Sequence, residues 1–326
     1  MELLWISLSV AAGLAVIVLL IAYICFRISC YDVRKPETEK YPIPKGTIYE
    51  PYREQMIRWM EETWATPHED LEIKSFDGLT LRGKYYEFAP GAPIELMFHG
   101  YRGSATRDLC GGMQRCFLLG RSAVIVDQRA CGTSEGNVIS FGINESKDCH
   151  SWIQHLLRRF GPDVRIMLTG ISMGASTVLL AAGQELPKNV VGVLADCGYT
   201  SAEAIIKRTA GLMKLPPNLS YPFVRLGARI FGGFDLNSDS PIEAAKRCEL
   251  PLMLVHGEDD DFVPCYMSKE IFDVYQGPKT LFTVPGAGHG LAYLQDLPGY
   301  LKVHKEFFGT PEAPVIYERS EQNDPL

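Results

Sequence analysis

From residue 3 to residue 26 the chain runs without a charged side chain, as LLWISLSVAAGLAVIVLLIAYICF. As a helix this stretch spans roughly 36 Å at ~1.5 Å per residue, enough to cross a hydrocarbon core of about 30 Å. A cleaved signal peptide carries a basic n-region, a shorter apolar core and a small-residue cleavage site. Here Glu2 is the charged side chain before the core, and the core is long. The pattern therefore predicts a single-pass membrane anchor over residues 1–30. Residues 31–66 follow as a linker and docking helix. Pro36, Pro42, Pro44 and Gly46 mark extended chain, and Met56, Trp59, Met60 and Trp64 recur at helical spacing.

The period changes after Thr66. LEIKSFDGLTLRGKYYEF alternates apolar and polar residues around Asp77-Gly78, a hairpin signal. Short apolar, β-branched runs then recur at 94–98, 123–126, 165–169, 190–194, 252–255 and 280–284. Helix-length stretches such as NESKDCHSWIQHLLRRFG and ASTVLLAAGQEL separate them. Strands alternating with helices predict an α/β class with a mostly parallel sheet, and the near-continuous apolar strands predict helices on both faces. About fifty residues between Cys197 and Pro251 hold no clear strand. They read as a small helical cap at about 199–250 inside a domain spanning 67–310, with 311–326 as a C-terminal tail.

Composition is ordinary for a globular protein, at 46% hydrophobic and 22% charged residues. A net charge of −7 and the lack of a basic stripe with interleaved aromatics argue against a nucleic-acid partner. Arg27, Arg34, Lys35 and Lys40 follow the apolar span and no Lys or Arg precedes it, which predicts a cytoplasmic catalytic domain. The nine cysteines form no CxxC pair. That is neither a disulfide framework nor a zinc pattern, and reduced thiols suit the same compartment. The His and Cys spacings call for no metal, and the chemistry below requires no cofactor.

In a parallel sheet, function gathers at the C-terminal strand ends. Those ends carry HGYRGS (99–104), Asp127-Gln128-Arg129, GISMG (170–174), Asp196-Cys197-Gly198, HGEDDDFVP (256–264) and PGAGHG (285–290). A Gly-x-Ser-x-Gly placed between a strand and a helix is a nucleophile elbow. Gly170 and Gly174 permit the crowded turn, and Ser172 sits at its tip. The backbone N–H groups of Met173 and Tyr101 are then candidate oxyanion donors. His289, in a glycine-flanked loop, is the candidate base. Its orienting anion comes from Asp259, Asp260 or Asp261, with Asp196 at the preceding strand end as a rival.

With these motifs in this order, residues 68–308 resemble the α/β-hydrolase superfamily, and more narrowly the bacterial single-pass hydrolases grouped with the serine aminopeptidase and BEM46-like families. The resemblance implies an α/β-hydrolase fold and picks Asp260, aligning His256 to Pro264 with the family's H-G-x-x-D-x-x-V-P. It also aligns Asp127 to Ser134 with D-x-R-G-x-G-x-S, where Ala130 replaces the usual glycine. His99 and His256 read as structural, Asp127 and Arg129 as loop braces, and Cys131 and Cys197 as inert thiols.

The expected function is a membrane-anchored serine hydrolase acting on a carboxylic ester or a related small-molecule, lipid or peptide acyl substrate. A peptidase, an amidase or an acyltransferase would use the same residues. A non-catalytic membrane-tethered module is the competing class, and the presence of all three residue types argues against it. Arg225 and Arg229, four apart on the cap, share a helix face; the helix reads first as an ordinary amphipathic lid and second as a basic, apolar face that meets lipid.

Overall fold

A computed structural model describes residues 1–32, 39–44 and 46–309. Arg34, Lys35, Pro36, part of the 31–66 linker and the 311–326 tail lie outside the described residues. The chain opens with α1 (Glu2–Ser29), whose apolar side chains are exposed along most of its length. A 3₁₀ turn (Thr47–Tyr52) leads into α2 (Arg53–Ala65), the docking helix expected from the Met56–Trp64 spacing. The hairpin around Asp77-Gly78 consists of β1 (Glu69–Lys74) and β2 (Thr80–Tyr86).

Next come β3 (Ile94–Phe98), α3 (Ala105–Leu118), β4 (Ser122–Val126), α4 (Ile143–Phe160), β5 (Ile166–Ile171), α5 (Met173–Ala182) and β6 (Val190–Asp196). The cap follows as α6 (Ala202–Leu212), α7 (Pro217–Phe231) and the short α8 (Pro241–Ala245). The chain returns through β7 (Leu252–Gly257), α9 (Tyr266–Val274), β8 (Lys279–Val284), α10 (Ala292–Gln295) and α11 (Leu297–Phe308).

The eight strands form one sheet in the order β1-β2-β4-β3-β5-β6-β7-β8. The pairs β1–β2 and β2–β4 are antiparallel and the rest are parallel. Because β3 lies between β4 and β5, the chain crosses from one side of β3 to the other. Such a switch point opens a crevice at the C-terminal strand ends. Successive strand residues point to opposite faces. Leu96, Phe98, Leu168, Val193 and Leu254 therefore pack with Trp152 and Ile153 of α4 and Val178 of α5. Met97 and Ile125 meet Leu109 and Met113 of α3, while Met167, Leu194 and Met253 meet Trp59 of α2 and Tyr300 of α11. Both faces are covered, which is why the parallel strands read as near-continuous apolar runs.

A separate apolar cluster joins the cap to α1. Phe26 and Cys30 pack with Tyr221, Val224 and Ala228 of α7 and with Met173 at the start of α5. Gly227 lets the two helices touch, since a Cβ there would stand 2.3 Å from the Ala22 carbonyl oxygen. Phe231 completes the contact against Tyr23 and Phe26, at ring separations of 5.1 and 6.1 Å. Arg225 (3.0 Å) and Arg229 both pair with Asp235, which offsets one of their two charges, and the face of α7 toward α1 is apolar.

Replacing Gly227 by Ala forces α7 off α1 and should cost about 1–3 kcal/mol, the usual penalty for overpacking. The measurement is thermal unfolding of the full chain in detergent. Gly13→Ala, where no atom lies within 4 Å of the added Cβ, is the control and should leave Tm unchanged. Equal Tm values for the two variants would show that the helices are not in close contact.

Candidate active site

The tip of the β5–α5 turn is built by what its neighbours lack. Ser172 takes φ 56°, ψ −117°, a conformation that costs a non-glycine residue strain. Glycines on each side hold it there. A Cβ on Gly170 would lie 2.0 Å from the Gly174 carbonyl oxygen, and a Cβ on Gly174 would lie 2.0 Å from that of Phe98. The Ser172 N–H donates to the Asp196 carbonyl at 2.8 Å, tying the turn to the end of β6. The hydroxyl is thereby presented at the head of α5, where helix polarity favours negative charge.

His289 arrives from the loop after β8. Its Nε2 lies 3.0 Å from Ser172 Oγ, and its Nδ1 lies 2.6 Å from Asp260 Oδ2. Of the three acids offered by EDDD, Asp260 is the one brought to His289. Its other oxygen accepts from the backbone N–H groups of Val263 (2.8 Å) and Phe262 (3.0 Å). Burial alone would raise the Asp260 carboxyl. Hydrogen bonds from His256 and His289 outweigh it and hold the group at about 2. Tyr49 donates its hydroxyl to the His289 carbonyl at 3.1 Å, and Phe262 packs edge-on to the imidazole at 5.2 Å.

Among the described residues, the backbone N–H groups of Tyr101 and Met173 have no protein acceptor. They flank Ser172 from the β3 and β5 sides, an arrangement able to receive an oxyanion. The Tyr101 loop is held by the end of α1. The last carbonyls of a helix lack internal partners. Here Ser29 O accepts from the Tyr101 hydroxyl at 2.8 Å, and Ile28 O and Tyr31 O accept from Arg102 at 2.9 Å each. A cation at a helix C-terminus also suits the helix dipole.

The remaining sequence candidates fall into bracing positions. His99 is buried, its Nδ1–H donating to Gly100 O (2.7 Å) and its Nε2 accepting from Gln128 N–H (3.0 Å). His256 accepts from Ser268 Oγ and donates to Val263 O, 2.7 Å each, and its Nε2 stands 3.3 Å from Asp260. It thus supports the carboxylate as well as the loop. Asp127 accepts from Ala105 and Thr133, and Arg129 bridges Asp148 and Asp77. Ala130 adopts φ 62°, the left-handed conformation that suits the glycine it replaces. Cys131 is buried in the cap cluster.

Cys197 lies with its sulfur 4.0 Å from His289 Nε2. Cys197, Asp260 and His289 bring donor atoms within 4.8 Å of one another. The set suits a cation poorly, because burial pushes the thiol far up and keeps it protonated, and the carboxylate is already engaged.

Ser172 and His289 open into a cavity of about 250 Å³. Its walls include Trp59 and Met56 of α2 and Tyr49 of the turn before it, none of which motif reading singled out for the site. Their helical spacing was the available signal, but spacing shows that a face is covered, not what it covers. Asp196 and Arg115 also line this cavity. Burial, the largest influence, pushes the Asp196 carboxyl up to about 6 against the pull of His256 and Arg115.

No family model matches the chain. YqkD of Bacillus subtilis is 28% identical over 190 residues, covering 58% of this chain and 62% of that protein. The lysophosphatidylserine lipase ABHD12 of Danio rerio is 26% identical over 252 residues, 72% of this chain and 59% of that protein. The chain thus spans less than two thirds of either relative. Among solved structures, the Pyrococcus furiosus esterase Pf2001 superposes with a TM-score of 0.62 at 20% identity, covering 85% of this chain and 97% of that one. The architecture is the α/β-hydrolase fold.

Asp196 also makes a pH prediction. Its folded value of about 6 exceeds the unfolded value of about 3.9. The native state therefore favours the protonated acid, and the stability this contributes is lost as pH rises through about 6. Asp196→Asn should change stability little near pH 4 and add up to about 3 kcal/mol above pH 7. Urea unfolding at both pH values measures it. The same difference at each would show that Asp196 does not titrate in this range.

Proposed function

We propose that this α/β-hydrolase chain is a membrane-anchored serine hydrolase that cleaves a carboxylic ester or related acyl substrate. The observation that carries the reading is the continuous hydrogen-bond chain from Ser172 through His289 to Asp260 in the wall of a cavity. Ser172 Oγ attacks the acyl carbonyl while His289 Nε2 takes its proton. Asp260 holds the imidazole in the Nδ1–H tautomer and stabilises the imidazolium. The N–H groups of Tyr101 and Met173 receive the oxyanion. Collapse expels the alcohol, protonated by His289, and leaves an acyl-serine. Water then gives its proton to His289, attacks the acyl carbon and releases the acid. An acyltransferase differs in this last step alone, with another nucleophile in place of water.

The anchor belongs to the same proposal. Residues up to Ile21 have exposed apolar side chains, and Ala22, Phe26 and Cys30 are buried against the cap. About twenty residues thus stand clear, roughly 30 Å of helix and one hydrocarbon thickness. Those docked contacts support an uncleaved helix over a signal sequence. Arg27 after the span supports a cytoplasmic catalytic domain, as do nine free cysteines.

The test is labelling of the full chain, in detergent or a nanodisc, by a fluorophosphonate probe, together with hydrolysis of p-nitrophenyl acetate. The anchor is retained because its last carbonyls hold Tyr101 and Arg102. Ser172→Ala should abolish labelling and lower kcat by roughly 10⁵–10⁶, and His289→Ala should fall comparably. Labelling that persists in Ser172→Ala, or a folded wild type that neither labels nor turns over, rules the proposal out.

A further inference from the structure

The cavity beside Ser172 is not uniformly apolar. Trp59, Met97 and Leu194 contribute hydrocarbon to its wall, but so do Asp196, Arg115 and Tyr293 with polar groups. These last three are 8%, 5% and 7% exposed, and Asp196 Oδ1, Arg115 Nε and the Tyr293 hydroxyl are buried without a hydrogen-bond partner. They come from three elements, the end of β6, α3 and α10, and they lie near one another. The Arg115 guanidinium stands 6.0 Å from the Tyr293 ring centre, and its charge acts on the Asp196 carboxyl. Buried polar atoms are nearly always paired, so three wall residues of one cavity that each carry an orphan atom point to a ligand that draws those side chains toward it and supplies the missing partners.

The charges narrow its chemistry. Arg115 is already ion-paired to Glu95, which Arg121 shares. A ligand anion would meet the Asp196 carboxylate, and a ligand cation would meet Arg115. A neutral group that both donates and accepts meets no repulsion. It can donate to Asp196 and accept from Arg115 or Tyr293. An alkyl end would leave all three unpaired, and a site built this way discriminates against an analogue lacking the group.

Resting on the hydrolase reading above, we propose that this cavity selects substrates whose inserted end carries an uncharged hydrogen-bonding group, a hydroxyl in the simplest case, in preference to a plain hydrocarbon chain.

The experiment compares hydroxyl substrates with their methyl isosteres at six to eight carbons, using the full chain in detergent. In one arm the hydroxyl ends the acyl chain, as in p-nitrophenyl 6-hydroxyhexanoate against the heptanoate. In the other it ends the alcohol, as in 5-hydroxypentyl acetate against hexyl acetate. In one arm, which identifies the inserted half of the substrate, the hydroxyl compound should lead in kcat/KM by tenfold or more. Tyr293→Phe should cut that lead to about threefold or less. Calorimetric binding of 6-hydroxyhexanamide and heptanamide to Ser172→Ala reads the same preference without turnover. Equal or better performance of the alkyl analogues in both arms and in binding overturns the proposal, with water alone satisfying the orphan atoms. Continued turnover of p-nitrophenyl acetate in that case would leave the hydrolase reading standing. Loss of turnover with the binding preference intact would do the reverse.

Discussion

The site depends on one close approach between backbones. Gly174 brings the first turn of α5 against the Phe98 and His99 carbonyls at the end of β3, where no side chain fits. That contact makes the β5–α5 turn tight, and the tight turn forces Ser172 into a positive-φ conformation with its hydroxyl at the helix head. Because β3 and β5 are neighbours at the switch point, the same approach brings the chain after β3 alongside the turn that carries Ser172. The strain at Ser172 persists because the fold over-determines it: the backbone bond to Asp196 holds one side and the buried α5 the other.

A second dependence runs from α1 to the strand ends. The carbonyls that α1 cannot satisfy internally are capped by Tyr101 and Arg102, while its last turns pack on α7 of the cap. Helix α1 is therefore part of the packing of the domain. It is a wall of the cap and a brace of the loop that follows β3.

Beneath the cavity lies a charged layer that an apolar-strand reading passes over. Glu95 sits in the middle of β3 with no exposure, between Arg115 and Arg121. Burial opposes its ionisation, yet the two guanidinium groups hold it at about 2. His304 beside them is driven down to about 3, chiefly by burial. Removing one partner of such a group strands the others in a medium where unpaired charge is costly. This layer fixes Arg115, and through it the polar end of the cavity.

The sequence alone determined the alternation of strands and helices, the place of the cap, the apolar N-terminal helix and a short set of reactive residues at strand ends. Those features are local: period, turn chemistry and a glycine-serine-glycine string state them within a few residues. From Asp259, Asp260, Asp261 and Asp196 as candidate acids, residue types and spacing left a choice that the family resemblance narrowed to Asp260. The loop geometry after β7 brings that same residue to His289. Tertiary structure alone decided that α2 lines the cavity, that Arg225 and Arg229 share Asp235 while α7 packs an apolar face on α1, that α1 braces Tyr101, and that Asp196, Arg115 and Tyr293 line one cavity. Each of these joins residues far apart in the chain through packing and charge compensation. A periodicity records that a face is covered, and only the folded chain says by what.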